Sequence, residues 1–127
     1  MERPTHAGLR HLALHVRALD EMERFYVDLL GFAVVWRPDA DNVYLSSGTD
    51  TLALHRAPAD RSASGGALDH LGLTVGAAAD VDRWAAFLES RGVALDAGPR
   101  THRDGSRSCY VRDPDGNRVQ IIHLPGG

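Results

Sequence analysis

The chain predicts an α+β fold made of tandem β-α-β-β-β modules, a cupped mixed sheet with helices on its outer face. Two observations carry this. The sequence repeats itself: RHLALHVRALDEMERFYVDLLGF (10–32) matches DHLGLTVGAAADVDRWAAFLESRGV (69–93) in the order strand, helical pattern, glycine, strand. The later parts also align, VYLSSGTDTLALHRAP (43–58) against CYVRDPDGNRVQIIHLP (109–125), so that Tyr44 meets Tyr110 and Leu52 meets Val119. Within each copy, period-two and period-3.6 patterns alternate as a mixed fold requires.

The elements follow in order. His11–Val16 reads as a short strand. Asp20, with Glu23 three residues on, has the spacing of a capping box. Met22, Phe25, Tyr26 and Leu29 then share one apolar helix face, and Gly31 stands at the helix stop, where a positive φ is often required. Phe32–Trp36, Asn42–Ser46 and Thr51–Arg56 read as strands. Module one spans about 8–58. ADRSASGGA (59–67) has the composition of a linker. Module two spans about 68–125: strand His70–Val75, helix near Asp80–Arg91 with Val81, Trp84, Ala85 and Leu88 inward, and Gly92 as its stop. Strands Val93–Asp96, Ser108–Arg112 and Arg118–His123 complete it. Asp113-Pro114-Asp115-Gly116-Asn117 is a turn signal.

Composition narrows the function classes. At 127 residues, with 43% hydrophobic and 24% charged, the chain suits one globular domain. A net charge of −3 offers no basic field for nucleic acid. No apolar run approaches the roughly 20 residues that span a bilayer. The N-terminal residues lack a signal-peptide h-region, so a cytoplasmic location is expected. The single cysteine, Cys109, excludes an intrachain disulfide framework and reads as a small buried apolar residue.

Seven histidines in so short a chain point to chemistry. Strand side chains alternate faces. With Leu12, Leu14 and Val16 under the helix, His11, Ala13 and His15 face away from it. His70, Gly72 and Thr74 do so in the second module. His11 and His70 are thus repeat-equivalent and share an open-face position, which suits imidazole ligation of Zn, Ni, Fe or Mn. Gln120 and Ala53 occupy the matching open-face position on each module's last strand, and His55 lies one step beyond Ala53. Tyr44 and Tyr110 read as repeat-equivalent pocket or sheet aromatics. Trp36 reads as a pocket wall or a dimer contact. The polar, Gly-containing Arg100–Arg107 segment, with His102 and Arg103 in it, reads as a solvated loop.

HLALHV (11–16), FYVDLLGF (25–32), HLGLTV (70–75), FLESRGV (87–93) and RDPDGNRVQII (112–122) together resemble the vicinal oxygen chelate superfamily, the glyoxalase, bleomycin-resistance and extradiol-dioxygenase group. The resemblance runs from Leu9 to Leu124. It implies a single glyoxalase-like domain that binds a small molecule and forms a homodimer. It also implies a divalent metal held by His11, His70 and Gln120, with His55 and His15 as proton-moving groups and Tyr44, Tyr110, Trp36 and Arg103 lining the substrate. Gln120 and Ala53 stand where it implies glutamates, and neither takes a proton at neutral pH. Three functions remain open. The first, which the histidine pair favours, is a metal-dependent lyase, isomerase or oxygenase. The second is a metal-free small-molecule or antibiotic-binding protein, and the third a silent interaction domain.

Overall fold

The computed structural model describes residues 1–58 and 68–125; the expected linker, 59–67, lies outside the described residues. The chain divides into two compact units, Met1–Arg61 and Ser62–Gly127. Each carries the expected strand-helix-strand-strand-strand order, and the fold is α+β with two four-stranded mixed sheets.

Unit one contains β1 (His11–Val16), a helix α1 (Leu19–Arg24) continuing into a π-helical turn (Phe25–Leu29), β2 (Ala33–Asp39), β3 (Asn42–Ser46) and β4 (Thr51–Arg56). Its sheet order is β1-β4-β3-β2, with β1 parallel to β4 and the other pairs antiparallel. The apolar helix face and one sheet face bury each other. Met22, Tyr26, Val43, Leu45 and Leu54 are fully buried, each large side chain worth roughly 1.5–3 kcal/mol relative to exposure. Phe25, Tyr26 and Phe32 meet edge to face, with ring centroids 5.3 and 5.6 Å apart.

The capping box is not formed. Ala18 is the N-cap residue and makes no side-chain cap bond. Asp20 already lies inside the helix, and Glu23 instead accepts a 2.7 Å bond from Arg37 on β2. That cation holds the Glu23 carboxyl below its usual range, chiefly by the hydrogen bond. The helix stop is as expected. The Leu30 N–H reaches Phe25 O, Gly31 takes φ +80°, and the Phe32 N–H returns to Tyr26 O. This return turns Phe32 into the core, so β2 begins one residue later.

Unit two contains β5 (His70–Thr74), α2 (Ala78–Ser90), β6 (Leu95–Thr101), β7 (Arg107–Arg112) and β8 (Arg118–His123), in sheet order β5-β8-β7-β6 with β5 parallel to β8. Val81, Ala85, Cys109 and Ile121 form a buried cluster, with Leu73, Val75, Trp84 and Leu95 packed on it. Burial pushes the Cys109 thiol up, which keeps it an inert apolar group. Arg107 ties β7 to α2 through Asp82 at 2.7 and 2.9 Å. The Asp113 carboxylate is buried and accepts from the N–H groups of Asp115 and Asn117, which fixes the β7–β8 turn with Gly116 at φ +91°.

Two strands run past their expected ends. β2 continues through Pro38 to Asp39, and β6 through Gly98 and Pro99 to Thr101. Both are edge strands of their sheets. An edge has an unpaired side on which a proline's missing N–H costs nothing, so residues that read as breakers are tolerated there.

Candidate functional site

In each unit one sheet face packs the helix; the other carries His11, His15 and His55 in unit one and His70 in unit two. The pairing confirms the repeat register. His11 pairs with Thr51 and Ala13 with Ala53, as His70 pairs with Arg118 and Gly72 with Gln120. Gln120 and Ala53 are therefore structural equivalents.

On unit one's open face, one row runs Ala13, Ala53, Tyr44, Trp36 and the next runs His15, His55, Asn42, Asp39. Trp36, 59% exposed, stacks on Tyr44 with centroids 5.0 Å apart and planes at 26°. Tyr44 meets His55 edge-on at 5.8 Å, and His15 meets His55 at 6.1 Å. Four of the expected site residues, His15, Tyr44, His55 and Trp36, are thus neighbours. Two unexpected residues join them. His55 Nδ1 lies 2.6 Å from Asn42 Oδ1, and Asn42 Nδ2 donates to Asp39 Oδ1 at 2.8 Å. His11 opens β1 and is exposed.

Unit two's open face gathers His70, Tyr110 and Gln120. Gln120 Nε2 donates to Tyr110 Oη at 2.8 Å. The other end of that amide faces Gly72, where an added Cβ would stand 3.4 Å from Oε1. The His70 ring meets Tyr110 edge-on at 5.6 Å. Two charged residues missed in the sequence complete the cluster. Asp69 Oδ2 lies 2.6 Å from His70 Nδ1, and this hydrogen bond is the main reason the Asp69 carboxyl is held below its usual range. A carboxylate only accepts, so Nδ1 carries the proton and, in the neutral ring, the lone pair sits on Nε2. The Arg118 guanidinium lies 4.0 Å over the Tyr110 ring and donates to Asp96 Oδ2 at 2.8 Å.

Arg103 lies exposed on the turn between β6 and β7, and no contact among the described residues joins it to this cluster. His102, which reads as a solvated loop residue, instead shares a 2.8 Å hydrogen bond between its Nε2 and Ser108 Oγ. Among the described residues no group of three or more His, Cys, Asp or Glu side chains is gathered for a metal ion. Within either unit, the donors do not fit a closed metal shell. Unit one has Ala53 at the matching position, and unit two has the neutral Gln120, whose Nε2 is bonded to Tyr110 and whose Oε1 is left as its one possible ligand atom, with Arg118 in strand register with His70.

A profile of the Glyoxalase/Bleomycin resistance protein/Dioxygenase superfamily matches residues 8–121. The chain belongs to this superfamily. Solved structures resemble it over almost their whole length. A lactoylglutathione lyase from Agrobacterium tumefaciens is 27% identical with TM-score 0.80, covering 98% of this chain and 100% of that one. A glyoxalase/bleomycin resistance protein/dioxygenase from Alicyclobacillus acidocaldarius is 24% identical with TM-score 0.73, covering 93% and 92%. An antibiotic-binding protein from Streptomyces sp. CB03234 is 23% identical with TM-score 0.76, covering 95% and 98%. The last two likenesses, below 25% identity, speak for the fold alone.

Proposed function

We propose that this chain is a small-molecule-binding member of the superfamily, recognising a flat, oxygen-bearing organic ligand by neutral hydrogen bonds and ring contacts. The Gln120–Tyr110 hydrogen bond carries this reading. A neutral amide occupies the position where the resemblance implies a carboxylate. Its N–H uses an acceptor site on the phenol, which leaves the Tyr110 O–H to donate to a ligand oxygen. Tyr44 and Trp36 offer aromatic surface on unit one's own open face, and Arg103, away from the Tyr110 cluster on the β6–β7 turn, is proposed to attract an anionic group. A homodimer in the cytoplasm is part of this reading, and solution mass checks the dimer.

The second reading is a metal-dependent lyase, isomerase or oxygenase using His11, His70 and Gln120 as ligands, with His55 and His15 moving protons. The Asp69–His70 bond favours it, because a carboxylate behind Nδ1 orients a ligating imidazole in the same way. The 27% identity to a lactoylglutathione lyase is a further support. A bound divalent ion would supply Lewis acidity to paired substrate oxygens.

One experiment separates the two. Tag-free protein is purified without added metal, its metal content is measured, and melting is followed with flat aromatic compounds after chelation. The binding reading expects melting to rise in chelator, by an amount corresponding to about 2.7 kcal/mol at a hundredfold excess over Kd. Stoichiometric Zn, Ni, Fe or Mn, lost in a His11→Ala, His70→Ala variant, overturns it in favour of the second reading. Gln120→Glu then raises metal affinity.

A further inference from the structure

His55 has a two-step polar chain behind it. Asp39 is a carboxylate and only accepts, so the Asn42 group 2.8 Å from it is the NH2 end of the amide. This fixes the amide's orientation without reference to His55. The opposite end, Oδ1, then faces His55 Nδ1 at 2.6 Å and also only accepts. His55 must therefore carry its hydrogen on Nδ1, and in the neutral ring the lone pair lies on Nε2. Asp39 is itself anchored, since the same Oδ1 accepts the Asp41 N–H at 2.8 Å. All three residues sit in one cross-strand row of β2, β3 and β4, where the backbone ladders set their spacing.

We propose that Asp39 and Asn42 are positioning residues that lock His55 in the Nδ1–H tautomer, so that the open face of unit one presents one imidazole acceptor beside an aromatic shelf. Its ligand class is a planar ring carrying a hydroxyl or N–H donor. The donor meets His55 Nε2, and the ring lies against the aromatic pair that Tyr44, edge-on to His55, forms with Trp36. The lock gives the face a hydrogen-bond sign: a ligand with a donor is accepted, and the same ring bearing only an acceptor is not. The ligand class rests on the small-molecule reading above; the tautomer lock does not.

The test uses the full chain with ¹⁵N-labelled histidine. Two-bond ¹⁵N–¹H spectra of the ligand-free protein above the histidine titration range are expected to show His55 protonated at Nδ1 alone. Asn42→Ala is expected to release the ring to a mixture with the Nε2–H form. Asn42→Asp combined with Asp39→Asn, which reverses the pair so that position 39 donates and position 42 keeps an acceptor at the same reach, is expected to restore the Nδ1–H form, and a merely structural role for Asn42 would not predict that rescue. An Nε2–H or mixed tautomer in the unsubstituted protein, or no change in Asn42→Ala, overturns the lock. Binding is then read by quenching of Trp36 fluorescence against a Trp84→Phe background. 2-Naphthol is expected to bind roughly two- to tenfold more tightly than 2-methoxynaphthalene, and Asn42→Ala to abolish that preference. Equal binding of the two overturns the proposed ligand class. A locked tautomer with neither compound bound leaves the positioning role standing and counts against the small-molecule reading of this face.

Discussion

Replacing Tyr110 by Phe removes one oxygen and little else. The ring stays to receive Arg118 over its face and the edge of His70, while Gln120 Nε2 loses its acceptor. A neutral hydrogen bond of good length contributes about 0.5–1.5 kcal/mol net. Both partners are half-buried, so water replaces part of the loss, and the lower half of that range applies, about 0.5–1 kcal/mol. Gln120→Ala removes the other partner, and the double variant completes a thermodynamic cycle. The assay is urea denaturation. With an m-value of roughly 1–3 kcal/mol/M, the Tyr110→Phe midpoint falls by about 0.2–1 M. The two single effects are expected to exceed the double by the coupling energy. Strict additivity, within about 0.3 kcal/mol, refutes the claim that the amide and the phenol act on each other, and with it the main support for a neutral recognition site.

Further expectations concern the frame of unit two. Ile121→Ala, at a position 1% exposed inside the buried cluster, costs roughly 2–5 kcal/mol by urea unfolding. Gly116→Ala meets no atom within 4 Å but holds φ +91°, so backbone strain alone costs about 1–2 kcal/mol, seen as a lower melting temperature with the same fold by circular dichroism. The Arg107 hydrogen bond holds the Asp82 carboxyl below its ordinary value of 3.8. Its stabilisation is complete above the unfolded carboxylate range and is lost as pH falls through the depressed folded value. Urea midpoints at pH 7 and pH 3 therefore differ less in Asp82→Asn than in the parent chain.

Much of the fold was readable because it depends on local rules. β3, β4 and β8 begin and end where alternation and turn residues put them, and the Gly31 stop follows from a conformation open to few other residues. Asp20 and Glu23 had the right spacing for a cap, but a tertiary partner, Arg37, drew Glu23 away. Pro38 and Pro99 read as breakers because a sequence does not announce which strands will be edges. The same limit applies to the site. The neighbours His15 and His55, Tyr44 and Trp36, and Tyr110 and Gln120 follow from alternation plus the repeat. Asp39 lies past the expected end of β2 and Asn42 opens β3, and their reach to His55 depends on cross-strand register. Asp69 was closer to hand, directly preceding His70, yet adjacency in sequence does not reveal a hydrogen bond. Arg118 over Tyr110 was legible only once β7 and β8 were paired.

The parallel pairing of β1 with β4, and of β5 with β8, has a consequence for how these units come into being. His11 and Thr51 are partners 40 residues apart, and His70 and Arg118 are partners 48 apart. The strand synthesised last in each unit takes an interior place in its sheet, between the first strand and the third. A nascent unit lacking that strand has a hairpin and a lone strand that cannot reach each other. It leaves part of the apolar helix face uncovered until the last strand emerges. Contacts of such long range are slow to close. Premature termination within β4 or β8 therefore removes the middle of a sheet, and the product is exposed to self-association while it waits.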